Sequence, residues 1–362
     1  MATSDHKQGF FTTHLLDWFD RNDRPLPWKG EKDPYLIWLS EIILQQTRVQ
    51  QGLPYFERFA ASYPTVKDLA AAPDDEVFKL WEGLGYYARA RNMLAAARYI
   101  ADELDGKFPD TYDAIRALKG VGPYTAAAIA SFAYDLPHAV LDGNVFRVLS
   151  RFFGILTPID TTAGKRQFQQ LAESLLYRGD AAKYNQAIMD FGATQCKPKA
   201  PLCASCPLHS SCVAYQEDRI HQLPQKEKKL KKRDRFFLYV EWQREEALLL
   251  QKRTRKDIWQ DLYEFPLLEL DRLSDMEYPD CLNALEQRWG MRLDASTVNI
   301  SRPFQQSLSH QRITARFLQV PVNSDFTLAS EQAFWVQREQ LRDYAFPRII
   351  DWYLADNSLY LI

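Results

Sequence analysis

The stretch Leu118-Lys-Gly-Val-Gly-Pro-Tyr-Thr-Ala126 decides how the first 220 or so residues of this chain are read. Gly120 and Gly122 allow a tight turn, and Pro123 is suited to the first position of a helix. The backbone N–H groups that open that helix then face outward, where they can bind an anion. This is the physics of two helices joined by a hairpin that grips one DNA phosphate through Gly120 and Gly122, although the same residues would also suit an ordinary corner between two helices. Working outward, apolar periodicity predicts helices over Pro34–Gln51, Asp74–Gly83, Ala88–Leu104, Tyr112–Leu118, Tyr124–Ala133, Val145–Phe153 and Lys165–Tyr177. No period-2 strand pattern interrupts them, so the N-terminal part reads as all-α.

Of five cysteines, four fall within seventeen residues: Cys196, Cys203, Cys206 and Cys212, spaced C-x6-C-x2-C-x5-C. Four thiolates in one short loop suit a tetrahedral zinc or a [4Fe–4S] cluster. Zinc ribbons commonly use two CxxC knuckles, and only one is present here, which favours iron–sulfur. Such bunching belongs to a reducing cytoplasm rather than to a disulfide scaffold. Lys197 and Lys199 could carry the loop onto a phosphate backbone. Cys281 stands alone and reads as a core residue.

Two carboxylates occupy contrasting settings. Glu41 follows Asp33-Pro34, a cap and first helical position, and has Ile37, Trp38 and Leu44 on its own helix face. Burial there should raise its pKa, as suits a proton donor. Asp142 precedes a helix, whose N-terminus favours an ionised carboxylate. An acid and an anion so paired can break a glycosidic bond. The same features would also serve a purely structural N-cap at Asp142 and a hydrogen-bonded buried acid at Glu41. Gly83-Leu84-Gly-Tyr86-Tyr87 sets rings beside a glycine turn, and Gln45-Gln46-Thr47 follows the Glu41 turn; such groups can wedge into a base stack or simply fill a core.

The run 224–235 is densely charged and without an apolar face, which reads as a basic linker. Beyond it Phe236–Trp242, Ala247–Gln251 and Arg312–Val320 are strand-like, with one helix near Cys281–Trp289, as in a small α/β domain. The 362 residues carry 45 Lys+Arg against 47 Asp+Glu, and the first 225 carry 24 and 26, so neither part is basic in bulk. A DNA partner would therefore be met by a local footprint. The N-terminus lacks the basic and apolar regions of a signal peptide, and no apolar run is long enough to span a membrane.

Together LSEIILQQT, WEGLGYYARARN, LKGVGPYTA, LDGNVFRVLSR and the four-cysteine loop resemble the MutY adenine DNA glycosylases of the helix-hairpin-helix, Gly/Pro-rich, Asp-containing superfamily. IWQDLYEFP (258–266) and Leu308-Ser-His310 resemble that family's recognition domain, so the likeness spans almost the whole chain. The resemblance implies a catalytic domain over 1–223 containing a [4Fe–4S] loop at 196–212, a linker at 224–235, and a Nudix-like α/β domain over 236–362. It implies a cytoplasmic monomer that acts on duplex DNA carrying adenine opposite 8-oxoguanine or guanine. Glu41 would protonate the base and Asp142 face the cationic sugar, supported by Asn144. Tyr124 stands where endonuclease III has its lysine, which implies a monofunctional enzyme. Gln46, Thr47, Leu84 and Tyr86 would meet DNA, and Arg24, Trp28 and Gln186 would border the adenine. Ser309 and His310 would read the opposing lesion, with Leu308 where the family often has an aromatic. The Nudix box is represented by Asn283–Gly290 with one acid, too few carboxylates for a metal cage, which argues against a pyrophosphohydrolase. A pyrimidine-damage glycosylase/lyase and a noncatalytic DNA-binding or redox-signalling protein are the other readings.

Overall fold

The computed structural model describes residues 2–22, 24–227, 232–290, 293–328 and 332–357. Part of the charged linker, 228–231, lies outside the described residues. The chain divides into two compact units, Met1–Ala71 with Arg91–Lys229, and Ala72–Ala90 with Leu230–Ile362.

The helices before the linker are α1 (Ala2–Arg21), α2 (Pro34–Leu44), α3 (Val49–Ser62), α4 (Val66–Ala71), α5 (Asp74–Trp81), α6 (Ala88–Glu103), α7 (Tyr112–Ala117), α8 (Pro123–Tyr134), α9 (Gly143–Phe153), α10 (Thr162–Leu175), α11 (Ala181–Asp190) and the short α12 (Val213–Gln216). Helix α2 starts because Asp33 accepts from the Tyr35 amide at 2.9 Å and Pro34 needs no partner for its nitrogen. Tyr35 and Ile37 through Ile43 are buried and Leu36 half-buried, so α2 is a core helix, and Glu41 is carried inside with it. The Ala-rich α8 is likewise buried from Thr125 to Ser131 and packs beside α2 and α7. Helix α9 is capped by Asp142, which accepts from the Val145 amide at 2.8 Å, and it ends on Gly154 at φ +71°. Phe11, Val148, Phe152, Phe168 and Phe191 bring α1, α9, α10 and α11 together around one core.

The predicted helix over Pro34–Gln51 is broken in two. It ends at Leu44 and resumes at Val49, because Gln46 turns the backbone to φ +57°. No glycine or proline announces that turn.

In the second unit the strands are β1 (Arg233–Arg244), β2 (Ala247–Lys252), β3 (Tyr263–Glu264), β4 (Leu267–Leu270), β5 (Asn299–Ile300), β6 (Phe304–Ser307), β7 (Gln311–Pro321) and β8 (Ala333–Gln337), with helices α13 (Tyr278–Trp289) and α14 (Arg348–Asp356). The sheet order is β3-β2-β1-β7-β5, with β4 on β1, β6 on β7 and β8 on β2. Among the described residues only the central β1–β7 pair is parallel, so this is a mixed sheet packed with helices, as the α/β expectation had it. Cys281 is fully buried in its core beside Trp242 and Leu285.

The start of the sheet differs from the sequence reading. Strand β1 begins at Arg233, so 233–235 are sheet rather than linker: Arg235 is buried with its charge met by Glu269 and Asp257, both at 2.7 Å. By contacts, Ala72–Ala90, read within 1–223 from the sequence, also groups with the second unit. There Asp75 accepts from the Tyr263 hydroxyl at 2.8 Å and pairs with Lys252 at 2.7 Å. Lys79 donates to the Tyr344 carbonyl at 3.0 Å, and Glu82 accepts from the Phe346 amide at 2.9 Å.

Candidate active site and cysteine loop

One open cavity of about 720 Å³ in the first unit gathers most of the expected residues. Arg24 and Trp28 come from the loop before α2, Glu41 from α2, and Gln46 and Thr47 from the turn after it. Gly120, Gly122 and Tyr124 come from the hairpin, Asp142 and Asn144 from the start of α9, and Gln186 from α11. The volume is in the range of small-ligand pockets.

Glu41 is 7 % exposed, and burial pushes its carboxyl up to about 7; a hydrogen bond from the Tyr124 phenol draws it back, and the nearby Asp142 charge adds to the rise. Tyr124 also donates to Met189 Sδ at 3.3 Å, and burial next to two carboxylates keeps its phenol far above its ordinary pKa. It is therefore a neutral donor reaching toward the acid.

Asp142 has far more support for its anion. The Val145 amide donates to Oδ1 at 2.8 Å, Asn144 Nδ2 donates to Oδ2 at 2.7 Å, and Arg147 contributes its field. Burial nevertheless outweighs them and moves the carboxyl upward. Desolvation is thus the largest effect on Asp142, and the cap bonds and helix terminus expected to favour its ionised form act against it.

At the hairpin Gly120 sits at φ +82°, and a Cβ there would lie 2.7 Å from Asn92 Cβ, so both backbone and space require glycine. Gly122 caps α8 with no side chain, leaving the first-turn amides without a side-chain cap.

Four expected residues lie in the second unit. Tyr86 is 48 % exposed at φ +50°, and its hydroxyl is hydrogen-bonded to Ser309 Oγ. Ser309 and the exposed His310 lie in the turn between β6 and β7, closed by the Leu308 amide donating to the Gln311 carbonyl at 2.8 Å. Leu84, expected at the DNA face, is instead buried, because its turn folds back so that its amide donates to the Trp81 carbonyl.

The four clustered cysteines line one small apolar cavity beside Arg151 and Leu208. Burial raises the Cys203, Cys206 and Cys212 thiols, Cys206 to about 12, and their mutual charges add to it. Thiolates here would need a cationic guest to be stable. Among the described residues no group of three or more His, Cys, Asp or Glu side chains is set to hold a metal ion.

Sequence reading missed the groups that hold these parts in place. Arg147 donates from Nε to the Cys196 carbonyl at 2.8 Å, and from Nη2 to the Gly192 carbonyl at 2.6 Å and Asn144 Oδ1 at 2.8 Å. One turn on, Arg151, 3 % exposed, donates to the Lys197, Pro198, Ile220 and Leu223 carbonyls and to Cys196 Sγ at 3.5 Å. Asn185 accepts from the Val140 amide and donates to the His138 carbonyl, fixing the approach to Asp142. The i,i+4 spacing of Arg147 and Arg151 on α9 was the available signal.

Residues 39–175 match the HhH-GPD superfamily of base excision DNA repair proteins, and 237–356 match the NUDIX domain. An adenine DNA glycosylase of Buchnera aphidicola from Schizaphis graminum is 31 % identical over 349 residues, covering 93 % of this chain and 96 % of its own. The mouse adenine DNA glycosylase is 41 % identical over 222 residues, 59 % of this chain and 43 % of the mouse protein. Among solved structures, a thermostable thymine-DNA glycosylase is similar at 29 % identity and TM-score 0.56, over 59 % of this chain and 99 % of its own. An endonuclease III bound non-covalently to DNA shares the fold at 22 % identity and TM-score 0.52, over 59 % and 97 % of the two chains. A helical unit with an acid and a capped aspartate in one cavity, followed by a NUDIX-type unit, therefore places this chain in the adenine DNA glycosylases, base-excision repair enzymes of the HhH-GPD superfamily.

Proposed function

We propose that the enzyme removes adenine paired with 8-oxoguanine or guanine in duplex DNA, and that it is a monofunctional hydrolase. The observation that carries this reading is the opening of Glu41 and Asp142 into one cavity, the first with a single phenol partner and the second with an amide, a carboxamide and a guanidinium near it. The adenine is swung out of the stack into that cavity, at a cost of roughly a few kcal/mol. Arg24, Trp28 and Gln186 border it there. Glu41 gives its proton to adenine N7, the C1′–N9 bond breaks with its electrons moving to the base, and the sugar becomes cationic at C1′. Asp142, oriented by Asn144, stabilises that cation until water adds at C1′ and its proton passes to the Glu41 carboxylate. Tyr124 holds Glu41 in place; a phenol cannot form a Schiff base with the sugar, which supports hydrolysis without strand nicking.

The hairpin at Gly120 and Gly122 grips a phosphate, and Gln46, Thr47 and Tyr86 meet the gap in the stack. Ser309 and His310 read the opposing lesion. The four cysteines hold one [4Fe–4S] cluster, a reading supported by the all-thiol donor set around one cavity. When bound it supplies a cross-link of the 196–212 loop, with Lys197 and Lys199 carried toward DNA. No described helix is long and apolar enough to cross a membrane, and we place the enzyme in the cytoplasm as a monomer.

The test is single-turnover excision with adenine opposite 8-oxoguanine, guanine and thymine, scored with and without alkali. Strand breaks that depend on alkali and on Glu41 support the reading. A borohydride-trapped stoichiometric adduct would instead indicate a lyase.

A further inference from the structure

The cavity that holds Glu41 and Asp142 also carries a sulfur to which the excision chemistry gives no task. Met189, in the last turn of α11, is half-buried and lines that cavity. Its Sδ accepts from the Tyr124 hydroxyl at 3.3 Å, and Tyr124 is also the phenol that holds Glu41. Among the described residues no second donor meets Sδ, so one lone pair of the sulfur is left unengaged in a side chain that small solutes reach through the open cavity. Two other described methionines lack this access: Met93 and Met276 are 0 % and 1 % exposed. Met1 and Met291 lie outside the described residues.

A thioether is a weak acceptor, so the bond from Tyr124 to sulfur competes little with its bond to the Glu41 carboxylate. Oxygen on the sulfur would reverse that order. Hydrogen peroxide supplies it: the O–O bond breaks, one oxygen forms an S–O bond with a sulfur lone pair, and its proton passes to the departing hydroxide, which leaves as water. Sulfur loses two electrons and peroxide gains them. The sulfoxide is polar, and its oxygen is a strong acceptor one bond from the atom the phenol already meets. Reduction by two thiols returns the thioether, a disulfide and water.

We propose that Met189 is an oxidation-sensitive switch in the active cavity. Its sulfoxide draws the Tyr124 hydroxyl away from Glu41 and sets a polar oxygen on the wall beside the flipped base, so peroxide stops excision until a methionine sulfoxide reductase restores the thioether. This rests on the reading of Glu41 as the acid and Tyr124 as its support.

Timed exposure of the full chain to hydrogen peroxide, ended with catalase and read by peptide mass spectrometry and single-turnover adenine excision, tests this. Met189 should gain oxygen well before Met93 and Met276. Excision should fall by about tenfold or more as the Met189 sulfoxide accumulates, and return with methionine sulfoxide reductases for both epimers. Met189→Leu nearly keeps the volume and removes the sulfur, and after the same exposure it should hold its own untreated rate within about twofold. This variant shares every cysteine with the native chain, so equal losses in the two would place the damage at another group and overturn the proposal. A fully formed Met189 sulfoxide with undiminished excision would overturn it as well, as would oxidation of Met189 no faster than that of Met93. Glu41→Gln assayed without peroxide tests the acid separately: excision by that untreated variant would fail the reading of Glu41, whereas the outcomes above concern Met189 alone.

Discussion

The hydroxyl of Tyr86 is hydrogen-bonded to Ser309 Oγ, across 223 residues of sequence. Tyr86 pays for this place with a left-handed backbone, strained for an aromatic residue. The bond fixes the rotamer of the serine proposed to read the lesion. Tyr86→Phe keeps the ring and removes the hydroxyl, and should lower the preference for 8-oxoguanine over guanine opposite adenine. One hydrogen bond is worth about 0.5–1.5 kcal/mol, so the loss should reach at most about tenfold. Ser309→Ala should move the ratio in the same direction. Unchanged ratios in both variants would show that the pair has no part in reading.

Glu41 should set the basic limb of the pH profile. Its carboxyl is raised to about 7, so the excision rate should fall as pH rises through that value. Glu41→Gln should bind duplex normally and lose excision; near-normal adenine release in single turnover would defeat the assignment.

The same group makes a stability prediction of definite sign. The folded carboxyl titrates near 7 and the unfolded one near 4.5, so its stabilising protonation is complete below the lower value and lost through the upper. Glu41→Gln does not titrate. It should therefore melt higher than the native chain at about pH 8, by up to roughly 3 kcal/mol, and gain little of this near pH 4. Melting curves at the two pH values decide it.

Asp142→Asn separates capping from chemistry. Asparagine caps helices as well as aspartate, so the melting temperature should change little, while excision falls by several powers of ten. A variant with both stability and activity intact would leave Asp142 as a cap only.

Arg151 ties the cysteine loop and the 220–223 turn to α9 with buried, charge-assisted bonds. Arg151→Met leaves several carbonyls unpaired and should cost about 3 kcal/mol or more. If the proposed [4Fe–4S] cluster is present, its visible absorbance should be lost sooner on mild oxidation than in the native protein. Equal melting and equal bleaching would contradict that role.

What the sequence made legible is local. Asp33 and Asp142 are caps within three residues of the amides they bind, and Gly120 needs only its own φ to be recognised. The apolar surroundings of Glu41 follow from spacing on a single helix. What escaped depends on partners far along the chain. Arg235 enters a strand because Glu269 and Asp257 neutralise it, and Asn185 fixes the 138–140 segment from another helix. The turn at Gln46 has no glycine or proline to mark it, since its strain is borne by the surrounding fold. At Asp142 the local cap was legible, while the burial that opposes it comes from the folded whole.

The membership of Ala72–Ala90 in the second unit has a topological consequence. The backbone passes between the units three times rather than once, so a protease that nicks the charged linker severs one strand of a triple connection. Neither half is then released as a tail. A gene encoding only the chain beyond the linker would lack Asp75, Lys79 and Glu82, which bond to Tyr263, Tyr344 and Phe346.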